Sequence, residues 1–192
     1  EHVLASQSLL QYKPKSMRVE INGALQPGVT AKDIILALIA KIGVNGGTGH
    51  VIEYCGSTIK SLDMESRMTI CNMSIEMGAR GGLIAPDEVT FEYLRNREFV
   101  PSGTEFEQHV ERWKALRSDE GAVFDREISI KAEDIAPMIT YGTNPGMGTA
   151  IRNSIPALSE IAKANVNSFR NSLQYMGFEP GEKLEGKPID YV

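Results

Sequence analysis

Asn72 and Glu76 stand four residues apart in the stretch Met68-Thr69-Ile70-Cys71-Asn72-Met73-Ser74-Ile75-Glu76-Met77. On a helix the two side chains share one face, roughly 6 Å apart along the axis. Their neighbours Ile70, Met73, Ile75 and Met77 are apolar. A carboxylate beside an amide can hydrogen-bond a water or a substrate hydroxyl while the amide orients it. The same spacing also describes an ordinary solvated helix face, and the residues taken alone favour that explanation.

Other candidates are weaker. Gly46-Gly47-Thr48-Gly49 invites a phosphate-binding reading, but a phosphate cradle follows a strand and opens a helix. These glycines follow a helical pattern and precede a strand pattern, so a tight connection with positive φ angles is the better account. His2, His50 and His109 are scattered, and Cys55 and Cys71 lack metal-ligand spacing. No metal site is expected from these residues; Cys71 reads as a small buried hydrophobe on a helix. No Ser-His-Asp set announces itself. Arg80 could bind an anion but reads as a surface arginine. Asp119-Glu120 reads as an exposed helix end, and Thr143-Asn144 as a loop with no assigned chemistry.

The elements that must position these groups follow from local pattern. Val3 to Leu10 reads as the end of a helix. Met17–Ile21 alternates as a strand and meets the Asn22-Gly23 turn. Thr30 is an N-cap with Asp33 as a capping-box partner, opening a helix over Ala31–Ile42 that Gly43 stops. Val51–Cys55 is a strand rich in β-formers, Met64–Met77 a helix, Gly82–Ala85 a strand stopped by Pro86, and Asp87–Asn96 a helix with an acidic first turn. Strand and helix alternate three times, which predicts a mostly parallel sheet with helices packed on it. Phe106–Leu116 is amphipathic, with Phe106, Val110, Trp113 and Leu116 or Arg117 on one face. A polar break at Ser118–Gly121 divides residues 1–117, an α/β subdomain, from residues 118–192, the incomplete start of another. Within the latter, Glu127–Ile130 reads as a strand, Tyr141–Gly148 as a loop, Ala157–Met176 as a long helix ended by Gly177, and Ile189–Val192 as a strand that starts without finishing.

Bulk properties exclude several classes. With 192 residues, 42% of them hydrophobic and 23% charged, the chain can bury a core. A net charge of −5 gives no electrostatic footprint for nucleic acid, and no basic cluster suggests a membrane surface. The longest apolar run, Ile34–Ala40, is far shorter than the roughly 20 residues of a membrane span. Two cysteines make no disulfide framework, so a reducing cytoplasm is expected. The chain opens Glu1-His2-Val3 without Met and closes on apolar Ile189-Asp190-Tyr191-Val192, and both ends read as cuts through a longer polypeptide.

Five stretches carry a resemblance. They are Glu1–Gln7, Gly46–Gly49 with Val51–Tyr54, Met68–Ala79, Ala85–Glu88 and Ser118–Asp125. Together they resemble the aconitase family, and within it the large subunits of bacterial 3-isopropylmalate dehydratases; Thr69-Ile70-Cys71-Asn72-Met73 with Glu76 is the most specific part. The similarity covers most of the chain and weakens in 157–186. It implies aconitase-like α/β/α layers. It also implies a [4Fe–4S] hydro-lyase of leucine biosynthesis that moves a hydroxyl between adjacent carbons of 2-isopropylmalate through a dehydrated intermediate, one iron acting as Lewis acid. Asn72 and Glu76 match positions that face substrate in that family. The resemblance therefore turns the reading of this pair towards function: Glu76 hydrogen-bonds the departing hydroxyl and Asn72 helps to hold it.

The resemblance equally implies what is missing. The family's cluster cysteines lie in a Cys-Thr-Asn segment and a later CxxC, neither present here, and neither Cys55 nor Cys71 matches a ligand. By itself the chain is expected to bind no cluster and to be inactive, with the base and the carboxylate-binding arginines elsewhere, some of them in a small partner subunit. Two alternatives stay open: a homocitrate or citrate hydratase of the same family, and a non-catalytic module with aconitase-like folding.

Overall fold

The computed structural model describes residues 1–188; the strand expected at Ile189–Val192 lies outside the described residues. After a short helix α1 (His2–Ser6), strand β1 (Lys15–Asn22) leads through helix α2 (Ala31–Ile42) to β2 (His50–Cys55). Helices α3 (Ser57–Lys60) and α4 (Met64–Met73) carry the chain to β3 (Gly81–Ile84). Helices α5 (Glu88–Leu94) and α6 (Gly103–Lys114) precede β4 (Arg126–Lys131). The four strands form one parallel sheet in the order β3-β2-β1-β4.

The core lies on one face of this sheet. Met17, Val19 and Ile21 of β1 alternate inward beside Ile52 and Tyr54 of β2, and all five are fully buried. They meet Ile34, Ile35, Leu38 and Ile39 of α2 and Ile70 of α4 in a single cluster. Strand alternation supplies one half of that interface and the helical repeat of α2 the other. The caps of α2 are those the sequence prescribes. The Thr30 backbone N–H donates to Asp33 Oδ2 at 2.7 Å, and Gly43 ends the helix at φ 83°. Asp33 does more than cap, because its Oδ1 accepts the Met138 N–H at 2.7 Å. On the outer face of the sheet Arg18 pairs with Glu127 at 2.5 Å, and the Ser118 hydroxyl donates to Glu53 at 2.5 Å.

Several expectations differ from the structure. Strand β4 lies beyond the break drawn after Arg117, yet it pairs with β1 along its length, so the first sheet runs across that line. Asp125 ties the entry to this strand down, accepting from the Ser16 N–H at 2.8 Å. The helix expected over Ala157–Met176 is only its second half, α7 (Val166–Met176). Before it come two 3₁₀ turns, Leu158–Glu160 and Lys163–Asn165, with Ile161 extended between them. The Glu160 carboxylate accepts the Ala157 N–H at 2.7 Å and closes the first turn. Leu158 and Ile161 then reach the cluster formed by Tyr141, Ile155, Phe169, Leu173 and Leu184. Tertiary burial overrides helix propensity here. Finally, α6 stops at Lys114, so Leu116 is 69% exposed, while Phe106 and Val110 are buried and Trp113 stacks on Phe91 at 6.2 Å.

The Gly-rich loop over 141–147 is flanked by a short antiparallel pair, β5 (Met138–Thr140) and β6 (Gly148–Ala150). Asn144 Oδ1 accepts the Gly146 N–H at 3.0 Å, and the Thr143 and Ser172 hydroxyls lie 3.0 Å apart. Both polar residues are explained by the turn and its docking onto α7.

Candidate functional site

Helix α4 starts at a true N-cap, with Asp63 accepting the Ser66 N–H at 2.8 Å, and it does not continue to Met77. At Ser74 it tightens into a 3₁₀ turn over Ser74–Met77, ended by Gly78 at φ 78°. This corrects the single helix expected over Met64–Met77. In a 3₁₀ turn each residue advances about 120° and 2 Å, against 100° and 1.5 Å in an α-helix. Asn72 and Glu76 are therefore rotated apart by roughly 90° about the axis, not the roughly 40° of a continuous helix, and separated by about 7 Å along it. Both are exposed, with Ile75 between them 58% exposed. The turn presents an amide, an apolar side chain and a carboxylate to whatever occupies the space above.

The supporting layer is rigid. Ser74 and Met77 are buried. Burial holds the Tyr54 phenol well above its ordinary pKa, against the lowering effect of the Ser74 hydroxyl bonded to it, so Tyr54 stays an O–H. The glycine loop lies against the far end of the turn. The Gly47 N–H donates to the Met77 carbonyl at 2.8 Å, and a Cβ on Gly47 would stand 3.0 Å from the Ala79 Cβ. Gly47 serves close approach to this segment, whereas Gly46 packs against Ile42 and Gly49 takes a positive φ of 76°. Replacing Gly47 with Ala is expected to lower stability by about 1–2 kcal/mol through overpacking, measurable as a lower urea midpoint at unchanged m-value. Arg80, three residues on from the turn, is committed to the N-terminal segment, donating to Gln11 Oε1 at 3.0 Å and the Tyr12 carbonyl at 2.9 Å.

A second feature was not visible in the sequence. At the carboxyl ends of β2 and β3 lies a cavity of about 420 Å³, lined by Glu53, Cys55, Lys60, Asp87, Arg117 and Ser118 among others. Its walls come from four separated stretches, 53–55, 59–60, 84–87 and 117–118, and no spacing rule unites them. Asn72 and Glu76 do not line it.

Burial raises both cysteine thiols above their ordinary pKa, with the Glu20 carboxylate adding to the effect at Cys55. Among the described residues no three His, Cys, Asp or Glu side chains gather where they could hold a metal ion. Alkylation of Cys55 and Cys71 at pH 7 is expected to be slower than for a free thiol, with the rate still rising as pH passes above about 8.5, where an ordinary thiol levels off. Mass-spectrometric labelling across pH 6–10 reads this directly.

The model of the aconitase family (aconitate hydratase) matches residues 1–192, the whole chain. The chain belongs to the aconitase family. Among its curated aconitase-family relatives, the 3-isopropylmalate dehydratase large subunit of Cytophaga hutchinsonii is 57% identical over 192 residues. That of Bacteroides thetaiotaomicron is 56% identical over 192 residues, and that of Solibacter usitatus 55% over 193. Each alignment takes all of this chain and 41% of the relative, so the chain spans about two fifths of the length of the curated relatives it matches. The mostly parallel α/β sheet agrees with the fold that the sequence implies. Among the described residues no helix is long and apolar enough to cross a membrane.

Proposed function

We propose that these residues form part of the large subunit of a 3-isopropylmalate dehydratase, a hydro-lyase that isomerises 2-isopropylmalate to 3-isopropylmalate by dehydration and rehydration in leucine biosynthesis. The observation that carries the proposal is the identity of 55–57% to large subunits of that name across every residue of the chain. The exposed pair gives it chemistry. Glu76 hydrogen-bonds the departing hydroxyl, and the Asn72 amide holds that hydroxyl in register. Ile75 between them offers apolar surface to a carbon skeleton. The relatives' designation as large subunits supports a small partner subunit, and the biosynthetic role supports a cytoplasmic location. Aconitase-family hydro-lyases generally carry an iron–sulfur cluster; thiolates outside residues 1–192 would hold a [4Fe–4S] cluster here, since among the described residues no three His, Cys, Asp or Glu side chains gather where they could hold a metal ion.

The family's description as aconitate hydratase favours one rival within it, a citrate or homocitrate hydratase. The test is the full-length protein, assembled with its partner subunit and cluster, assayed on 2-isopropylmalate, citrate and homocitrate side by side. Turnover should be highest on 2-isopropylmalate by at least tenfold in kcat/KM. Preference for either tricarboxylate would overturn the assignment.

A further inference from the structure

Beneath the exposed pair lies a polar contact that the core does not need for hydrophobic reasons. Tyr54, in the middle of the sheet, and Ser74 are both fully buried. Their hydroxyl oxygens are 2.6 Å apart, and the Ser74 Oγ donates to the Ile70 carbonyl at 3.0 Å. Serine has one O–H to give, so Tyr54 is the donor to Ser74.

The consequence is local and geometric. In a continuing α-helix the Ile70 carbonyl would take the Ser74 backbone N–H. Here that N–H turns back to the Cys71 carbonyl, and the Ser74 hydroxyl occupies the place it left. A side chain bonding back to the fourth carbonyl before it competes with the helix ladder, and the helix tightens at that residue. Strand β3 presses on the same spot: a Cβ on Gly82 would stand 2.4 Å from Ser74 Oγ. The switch from α to 3₁₀ falls between Asn72 and Glu76, so it fixes the rotation between them.

We propose that Tyr54 and Ser74 are positioning residues, a buried hydroxyl relay that sets the mutual orientation of Asn72 and Glu76. The proposal rests on the reading of that pair as substrate-facing. With Tyr54 locked in the sheet and donating, the Ser74 rotamer is fixed; with that rotamer fixed, the turn has one geometry.

The experiment uses the full-length enzyme with its partner subunit and 2-isopropylmalate, comparing Tyr54→Phe, Ser74→Ala and the double variant, with Glu76→Gln alongside. Each single variant should lower kcat roughly tenfold, as a small misplacement does, with KM held within about twofold, and should lower Tm. In the double variant no hydroxyl is left buried without a partner, so Tm should recover while kcat stays low. If kcat recovers together with Tm, or if none of the three variants changes kcat, the relay is structural only and the proposal is wrong. Full turnover in Glu76→Gln would instead remove the reading on which it rests. A large loss there beside full turnover in the double variant would leave that reading standing and overturn the relay alone.

Discussion

Replacing Asp87 with Ala is expected to destabilise the fold by about 3–5 kcal/mol, the cost of leaving one member of a buried ion pair alone. The asymmetry of the pair decides which member matters more. The Arg67 side chain is 3% exposed and that of Asp87 35%. Arg67 donates to both carboxylate oxygens, at 2.6 and 2.8 Å, and to the Leu62 and Lys60 carbonyls at 3.0 and 2.9 Å. It thereby ties the loop before α4 to the start of α5. Without Asp87 a guanidinium remains in the interior facing only neutral acceptors. The helix also loses its N-cap, since Asp87 Oδ1 accepts the Val89 and Thr90 N–H groups. Arg67→Met should cost less, because the carboxylate it leaves behind can hydrate. Urea unfolding of both variants orders them, and the reverse order would show that burial of Arg67 is not the governing term.

The same carboxylate gives the fold an acid limb. Burial pushes Asp87 up, but the hydrogen bonds and charge of Arg67, with the two backbone N–H groups, outweigh it and leave the carboxyl below its usual range. A depressed folded pKa means the unfolded chain takes up the proton first as pH falls. The contribution is therefore complete above about pH 4, the unfolded value, and disappears as pH drops through the lower folded value. In Asp87→Ala the loss of stability between pH 5 and 2 should be shallower.

What the sequence made legible depends on how local the cause was. Strand β1 and helix α2 carry their own instructions: alternation at Met17, Val19 and Ile21, a Thr30–Asp33 cap and a glycine stop. Their bounds follow within a residue or two. Strand β4 was legible as a strand but not as a neighbour of β1, because pairing across more than a hundred residues leaves no local mark; Met17 finds Arg126 only in three dimensions. The stretch before α7 has helix-compatible composition, and only the cluster around Ile155 and Phe169 explains why Ile161 is pulled out straight. At the candidate site the residue types were legible and their relation was not. The four-residue spacing presumed one continuous helix, and the buried tyrosine that helps to end it lies twenty residues earlier. Ser74 itself was the available signal, since a serine inside a helix pattern invites a check for back-bonding to the preceding turn.

Glu76→Gln is expected to lower turnover on 2-isopropylmalate by about 10²–10⁴-fold in the full-length enzyme, the span of general acid–base effects. Glutamine keeps the length and planarity of the side chain and can still hydrogen-bond a hydroxyl, but it carries neither the negative charge nor an exchangeable acid proton. The substitution therefore separates holding from proton handling. KM should change little, because the amide still reaches the substrate, and the loss should appear in kcat. Stability should be unaffected within about 0.5 kcal/mol, as for other exposed positions, because Glu76 lies on the outer side of its turn while Ser74 and Met77 face in. Asn72→Ala should act differently and more weakly. Losing one orienting hydrogen bond is worth about 0.5–1.5 kcal/mol, or roughly two- to tenfold in rate. The ratio of the two effects is the informative quantity: a carboxylate that moves protons must outweigh an amide that only holds. Equal and small losses would reduce both residues to exposed surface with no distinct roles, and unchanged turnover in Glu76→Gln would take that carboxylate out of the chemistry.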